Sequence, residues 1–287
     1  MDGSSARRCM GREHVDSFHE RGFAVVRQVF EAHVVAEMAA AFDRIQAEGL
    51  AHPGSYRHRN VFFRQARDPQ LGRVLRLVQW PSYFDDTLDA VRLDSRMLDL
   101  IAPLIGSSLK QIINQLHWKP PGARAEFAYH QDIRFRRPRA AFRDLPLSYV
   151  QTGIAIDPHR SINGCMRMLP GSHLKGELPL GDGGSILTQS ASDQALRDAG
   201  LDPADLCDLE LEPGDVALWH LLTVHGSGPN RSGMDRRFYL NGYVKAENSD
   251  RGAWAFREGV ARPLGEPVLI HYEDLHRRPG PFYLEPD

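Results

Sequence analysis

Cysteine is scarce: three in 287 residues (Cys9, Cys165 and Cys207), an odd number with no Cys-x-x-Cys pair. That argues against a disulfide framework and a zinc ribbon and points to a reducing, cytoplasmic setting. No apolar run approaches the roughly 18 residues that a membrane span needs. The opening MDGSSARRCMGREHVDS has two arginines but no apolar segment after them, so a secretory leader is not expected. An excess of charge of either sign is missing too. Thirty-five Lys and Arg stand against 37 Asp and Glu, a formal net charge of −2, which leaves no chain-wide basic footprint for nucleic acid and no acidic tail. There are no internal repeats, low-complexity tracts or linkers. With 42% hydrophobic and 25% charged residues, the chain reads as one globular unit, residues 1–287, of a size that buries about 75% of its unfolded surface.

Residues 13–106 read as mainly helical support. Arg21–Val29 has the look of a short strand. Glu31–Leu50 carries Val34, Val35, Met38, Ala39, Phe42 and Ile45 at helical spacing and is closed by Gly49, and a second helical stretch runs from Phe84 to Ile105 with Gly106 as its stop. The texture changes over residues 107–245. Ile112–Lys119, Phe127–Phe135, Ser148–Asp157, Cys165–Leu169, Asp215–Val224 and Arg237–Val244 are short, strand-like and bounded by Pro, Gly or Asn. Strands in succession without helices between them suggest a sandwich or barrel. The sum is mainly β with flanking α: a jelly roll carrying an N-terminal helical layer. Residues 246–287 read as a C-terminal segment, with Trp254, Phe256, Tyr272, Phe282 and Tyr283 packing across the roll, capping the pocket or building a dimer contact.

Histidine is plentiful, at 13, so ligand spacing is the useful filter. In Tyr129-His130-Gln131-Asp132, residues two apart on a strand share a face, so His130 and Asp132 aim an imidazole and a carboxylate at one point. His225 follows the apolar strand Val216–Val224. Two histidines and a carboxylate leave the remaining metal positions open, the ligand set of non-haem Fe(II) oxygenases. Arg236, eleven residues on, can grip a carboxylate with both guanidinium nitrogens, Ser227 can donate to the same group, and the turn formers of His225–Arg236 bring both back over one site.

These residues, with Asn163-Gly164-Cys165-Met166-Arg167-Met168-Leu169-Pro170-Gly171-Ser172-His173, Glu212-Pro213-Gly214-Asp215 and His225-Gly226-Ser227, resemble the phytanoyl-CoA dioxygenase family of Fe(II)/2-oxoglutarate-dependent oxygenases from about Val15 to Val244. The resemblance implies a cupin-like double-stranded β-helix, iron held by His130, Asp132 and His225, and the distal carboxylate of 2-oxoglutarate on Arg236 and Ser227. It implies dioxygen as the oxidant and a small-molecule substrate, with hydroxylation favoured over halogenation because Asp132 is a carboxylate. One position departs from the pattern: Ile113 stands where relatives carry a glutamine that helps to hold 2-oxoglutarate, and Gln115 or His117 is the replacement on this strand. The alternative is a catalytically silent jelly roll that binds a small molecule.

The run Arg134-Phe135-Arg136-Arg137-Pro138-Arg139 reads as a solvated face, or as a grip on an anionic group of the substrate by Arg134, with Arg136, since Arg134 shares the alternation of His130 and Asp132. Tyr129, Asn163 and Arg167 line the pocket or serve the framework. His173 and His220 read as structural, His159 as loop surface, and Gly153, Gly164, Gly171 and Gly214 as turn glycines. The sequence does not speak to oligomeric state.

Overall fold

The computed structural model describes residues 10–180, 192–265 and 279–284; Cys9, Tyr272 and part of the C-terminal segment lie outside the described residues. Six α-helices occur among these: α1 Arg12–Arg21, α2 Ala32–Ala51, α3 Asp86–Arg92, α4 Ser95–Ile105, α5 Leu145–Ser148 and α6 Asp193–Asp198. The strands are β1 Phe23–Val26, β2 Tyr56–His58, β3 Val61–Asp68, β4 Gly72–Gln79, β5 Leu109–Lys119, β6 Phe127–His130, β7 Tyr149–Ala155 and β8 Met166–Met168. They continue with β9 Cys207–Leu209, β10 Val216–His220, β11 His225–Ser227, β12 Arg236–Lys245, β13 Ala253–Arg257, β14 Val260–Ala261 and β15 Phe282–Tyr283.

The architecture is mainly antiparallel β with helices on one side. A large sheet runs β1-β10-β7-β12-β5-β4-β3-β2-β15, with β13 added against β5, and a small sheet runs β6-β11-β8-β9. Strand pairing does not close them into one barrel. Alternation divides the large sheet between two cores. Val216 and Leu218 of β10, Val150 and Ile154 of β7, and Tyr239 and Tyr243 of β12 face the helical layer, where Met38, Phe42, Ile45, Leu100 and Ile101 of α2 and α4 pack on them. Their neighbours Ala217, Trp219, Ala155, Phe238 and Leu240 face the small sheet and meet Met166, Met168 and Leu209 there. No helix among the described residues is long and apolar enough to cross a membrane.

Three expectations need correction. Residues 56–79, read as part of a helical region, form β2, β3 and β4 and extend the large sheet. Their β-branched and aromatic residues, Val61, Phe62, Phe63, Val74 and Val78, suit a pleated surface and all are buried. Helix α2 does not stop at Gly49; a Cβ there would fall 2.9 Å from Leu75 and 3.1 Å from Phe63, so the glycine lets the helix lie close on the sheet. His159 is not surface: it is 1% exposed, and its Nε2–H donates to the Arg237 carbonyl at 3.1 Å. The C-terminal strands β13 and β15 pair with β5 and β2.

Gly164, Gly171 and Gly214 have positive φ, but Gly153 sits in mid-strand. A Cβ there would stand 2.1 Å from the ring of Phe238, which is stacked 6.3 Å from Trp219 and meets His159 edge-on at 4.8 Å, so the ring must leave both contacts to make room. Gly153→Ala is therefore expected to destabilise the fold by about 1–3 kcal/mol, read by chemical denaturation. Unchanged stability would mean that the Phe238 ring relocates freely.

Candidate metal centre

His130 and His225 are directly opposed across the pair β6–β11, which brings their rings to 4.2 Å between centroids. Each ring is oriented by its own main chain. The Nδ1–H of His130 donates to the Ala128 carbonyl at 2.7 Å, and that of His225 to the Thr223 carbonyl at 2.9 Å. This fixes the tautomer and leaves both Nε2 lone pairs for a metal. Burial, then the neighbouring His225, pushes the His130 imidazole down to about 3, so at neutral pH no proton competes for its donor atom.

Asp132 arrives by a different route from the one its spacing suggests. Strand β6 ends at His130, and Asp132 opens a 3-10 turn, Asp132–Phe135. Gln131 pins that corner: its Nε2 donates to Gly176 at 2.8 Å and Leu222 at 2.7 Å, and its Oε1 accepts from the Leu178 N–H at 2.8 Å. The Asp132 carboxylate then lies 4.0 Å from His130 Nε2 and 4.0 Å from His225 Nε2. All three donor atoms fall within 4.8 Å of one another and are buried, a set that one divalent ion can occupy. Burial raises the Asp132 carboxyl, but His225, Arg136, His130 and the Trp219 N–H outweigh it and hold the group below its ordinary value. Trp219 Nε1–H donates to its Oδ2 at 3.0 Å.

A second feature reaches the same cavity of about 410 Å³ through Arg236 and Ser227, which line it. Lys119 and Arg236 are cross-strand neighbours on β5 and β12, and both are almost completely buried. Lys119 Nζ donates to Ser227 Oγ at 2.6 Å and to the Gly228 carbonyl. Arg236 donates to Ser227 Oγ at 3.4 Å and to the Gly164 carbonyl at 3.2 Å. Among the described residues neither makes an ion pair with a carboxylate. Burial pushes Arg236 down to about 10, and burial with Arg236 and Arg76 alongside takes Lys119 well below the usual lysine range. Two buried basic groups without an acid form a slot for an anion. Next to it, the His117 Nε2–H donates to Gln115 Oε1 at 3.1 Å, both line the cavity, and the His117 ring stacks on Phe127 at 4.9 Å. Burial, then Arg236, Arg76 and Lys119, keeps that imidazole neutral.

Other residues singled out for the pocket are not on its wall. Tyr129 points to the opposite face from His130 and accepts from Arg167 at 3.0 Å, and Arg167 turns outward to Asp208 at 3.1 Å. Asn163 closes its own turn, accepting from Arg160 N and donating to the Pro158 carbonyl. Arg134 does not line the cavity, because alternation ends with the strand at His130; Arg136 does. His220 and His173 bond main-chain carbonyls of Pro146 and His19. Lys119, Trp219 and Gln131 received no role from the sequence. The inward alternation of Gln115, His117 and Lys119 was the available signal for the first, whereas the other two contacts join segments distant along the chain.

The family model described as phytanoyl-CoA dioxygenase (PhyH) matches residues 18–238. A "Probable alpha-ketoglutarate-dependent hypophosphite dioxygenase" of Stutzerimonas stutzeri is 28% identical over 82% of this chain and 78% of its own length. The peroxisomal phytanoyl-CoA dioxygenase of Mus musculus is 26% identical over 75% of this chain, which spans 62% of the mouse protein. Among solved structures, the non-heme alpha ketoglutarate dependent carbocyclase SnoK from nogalamycin biosynthesis superposes with a TM-score of 0.63 at 19% identity, over 93% of this chain and 96% of that one.

Trp219→Phe keeps the ring and removes only the N–H that orients Asp132. It is expected to fold and to bind Fe(II) about 10–100-fold more weakly in anaerobic calorimetry. Affinity equal to wild type would show that Asp132 needs no such support.

Proposed function

Because the chain belongs to the phytanoyl-CoA dioxygenase family, we propose that it is an Fe(II)/2-oxoglutarate-dependent oxygenase that hydroxylates an unactivated C–H bond of a small metabolite, with release of succinate and CO2. The observation that carries this reading is the sharing of one cavity by the His130-Asp132-His225 set and by Arg236 with Ser227, to which the buried Lys119 is hydrogen-bonded. The α-ketoglutarate dependence named for the Stutzerimonas relative supports it, and a concave pocket between two sheets suits a small molecule better than a polymer. Cytoplasmic residence belongs to the same proposal and is supported by the scarcity of cysteine.

The donor set fits iron: two imidazoles with Nε2 presented and one carboxylate, with the remaining positions open to the cavity. Bound iron and 2-oxoglutarate supply the dioxygen-dependent oxidative decarboxylation that powers C–H oxidation. The chain's own residues set where it happens. Arg236 and Ser227 would take the distal carboxylate of the cosubstrate with charge-assisted hydrogen bonds in a water-poor site, and Lys119, donating to Ser227 Oγ, would support the slot with its charge. Gln115 and His117 offer amide and imidazole polarity beside that slot. Phe127, Met166, Phe238 and Leu240 wall it from water. Asp132 occupies the metal position that a halide would need, which favours hydroxylation.

The test is anaerobic addition of Fe(II) and 2-oxoglutarate followed by oxygen. A visible charge-transfer band absent in His225→Ala and weakened in Arg236→Ala, with succinate formed on oxygenation, is the expected result. Folded, iron-supplied protein that gives neither would make the silent binding module the better reading.

Lys119 yields a second prediction. Its depressed folded-state value means that the unfolded chain binds the extra proton, so this group makes ligand-free stability rise as the pH climbs toward about 10. Lys119→Met is expected to flatten that slope, raise the unfolding temperature of the ligand-free protein and weaken 2-oxoglutarate binding about tenfold or more. A slope unaltered in the variant would remove Lys119 from the slot.

A further inference from the structure

The cavity that holds the metal ligands has a second cationic region. Arg236, Phe238 and Leu240 follow one another along the inward face of β12, and two residues further comes Gly242, about 20 Å from Arg236 at about 3.3 Å per residue. A Cβ at Gly242 would fall 2.1 Å from Tyr149 Oη and 2.7 Å from Gln151 Oε1. The missing side chain makes room for a polar chain of contacts: Tyr149 Oη donates to Gln151 Oε1 and accepts from Arg136 Nη2 at 2.7 Å. The Arg136 guanidinium lies over the Tyr149 ring, 4.9 Å from its centroid. Arg136 is 4% exposed, forms part of the cavity wall, and its buried Nε has no hydrogen-bond partner. Its ionic neighbour, Asp132 at 4.0 Å, is already engaged by Trp219 and by the metal role. Arg137 and Arg251 line the cavity as well. Against four wall arginines (Arg136, Arg137, Arg236 and Arg251), Asp132 is the one acid among the described lining residues.

We propose that Arg136, with Arg137 and Arg251, forms an anion subsite for the substrate, and that the substrate carries a carboxylate or phosphoryl group held there. The inference rests on the oxygenase reading and narrows its substrate class. A guanidinium offers a planar fork of donors matched to two oxygens of such a group, and Arg136 forms part of the cavity wall. The apolar part of the substrate lies against Phe135, whose ring is 5.5 Å from that of His130, and against Ile112 and Phe142, which line the same cavity. A cationic or neutral molecule leaves the excess positive charge of this end uncompensated.

The test uses three six-carbon probes, hexanoate, hexylphosphonate and hexanol, titrated calorimetrically into anaerobic protein loaded with Fe(II) and 2-oxoglutarate while the charge-transfer band is followed. The anions are expected to bind at least about tenfold more tightly than hexanol with the band retained, and whichever anion binds more tightly names the group. Arg136→Gln is expected to erase that preference and Arg136→Lys to restore only part of it. Anions that bind no better than hexanol, or that bleach the band by displacing 2-oxoglutarate, overturn the subsite and leave the oxygenase reading intact. Absence of the band in wild type instead removes the oxygenase reading, and the titration repeated on iron-free protein still decides the subsite. Anion binding lost in Arg136→Gln but kept in Lys119→Met supports it; the reverse pattern overturns it. Should Arg136→Gln fail to fold, anion affinity unchanged in both Arg137→Gln and Arg251→Gln overturns it as well.

Discussion

The large sheet has two apolar faces, and neither can be left to water. One is covered by α2 and α4 through residues such as Val216, Leu218, Tyr239 and Tyr243, and the other by the small sheet through Ala217, Trp219, Phe238 and Leu240. Because the side-chain period of a strand is two, a one-residue slip of β12 or β10 would exchange these sets. The helical layer therefore sets the register of the strands that line the cavity, and the site inherits its geometry from a core with which it shares no chemistry.

Within that frame the centre is a problem of buried charge. An unpaired charge in a protein interior is costly, yet Arg236 and Arg136 are buried on the cavity wall and Lys119 is buried across the strand pair from Arg236. At one end, serine and carbonyl oxygens partly satisfy Lys119 and Arg236. At the other, a tyrosine hydroxyl and ring support Arg136. Hydrogen bonds from neutral oxygens soften the cost without cancelling the charge, so the folded chain keeps buried positive charge at two places on a single cavity, one of them 4.0 Å from Asp132. Aromatic and aliphatic side chains line the middle, where a low dielectric strengthens each of these interactions.

Much of this was legible in the residues. Helical spacing in 31–50 and the run of short strands after Gly106 led to a helical layer on a jelly roll, and helices on antiparallel sheets are present. His130, Asp132 and His225 were singled out by residue type and separation, and the fold brings them together. The reasoning behind Asp132 needed amendment all the same: a regular strand was to aim it, whereas a 3-10 turn locked by Gln131 does so. The same break in the strand explains why Arg136, not Arg134, reaches the cavity. Strands β2 to β4 went unseen because segments with interspersed arginine and glutamine carry a weak periodic signal, and they join the large sheet through β4 on β5, with β3 and then β2 added in turn.

By itself the sequence determined the inventory: which donors exist, how far apart they lie along the chain, and which faces of its regular elements are apolar. Periodicity transmits such information over a few residues, because successive side chains on one element are related by fixed rotations. Only the tertiary structure decided where an element stops and what stands across from it. Trp219 meets Asp132 from 87 positions away, Lys119 reaches Ser227 across 108, and Gly242 is glycine because Tyr149 and Gln151 fill the space its side chain would need. Such contacts depend on two sheets and a turn being placed together, and no local spacing encodes that placement.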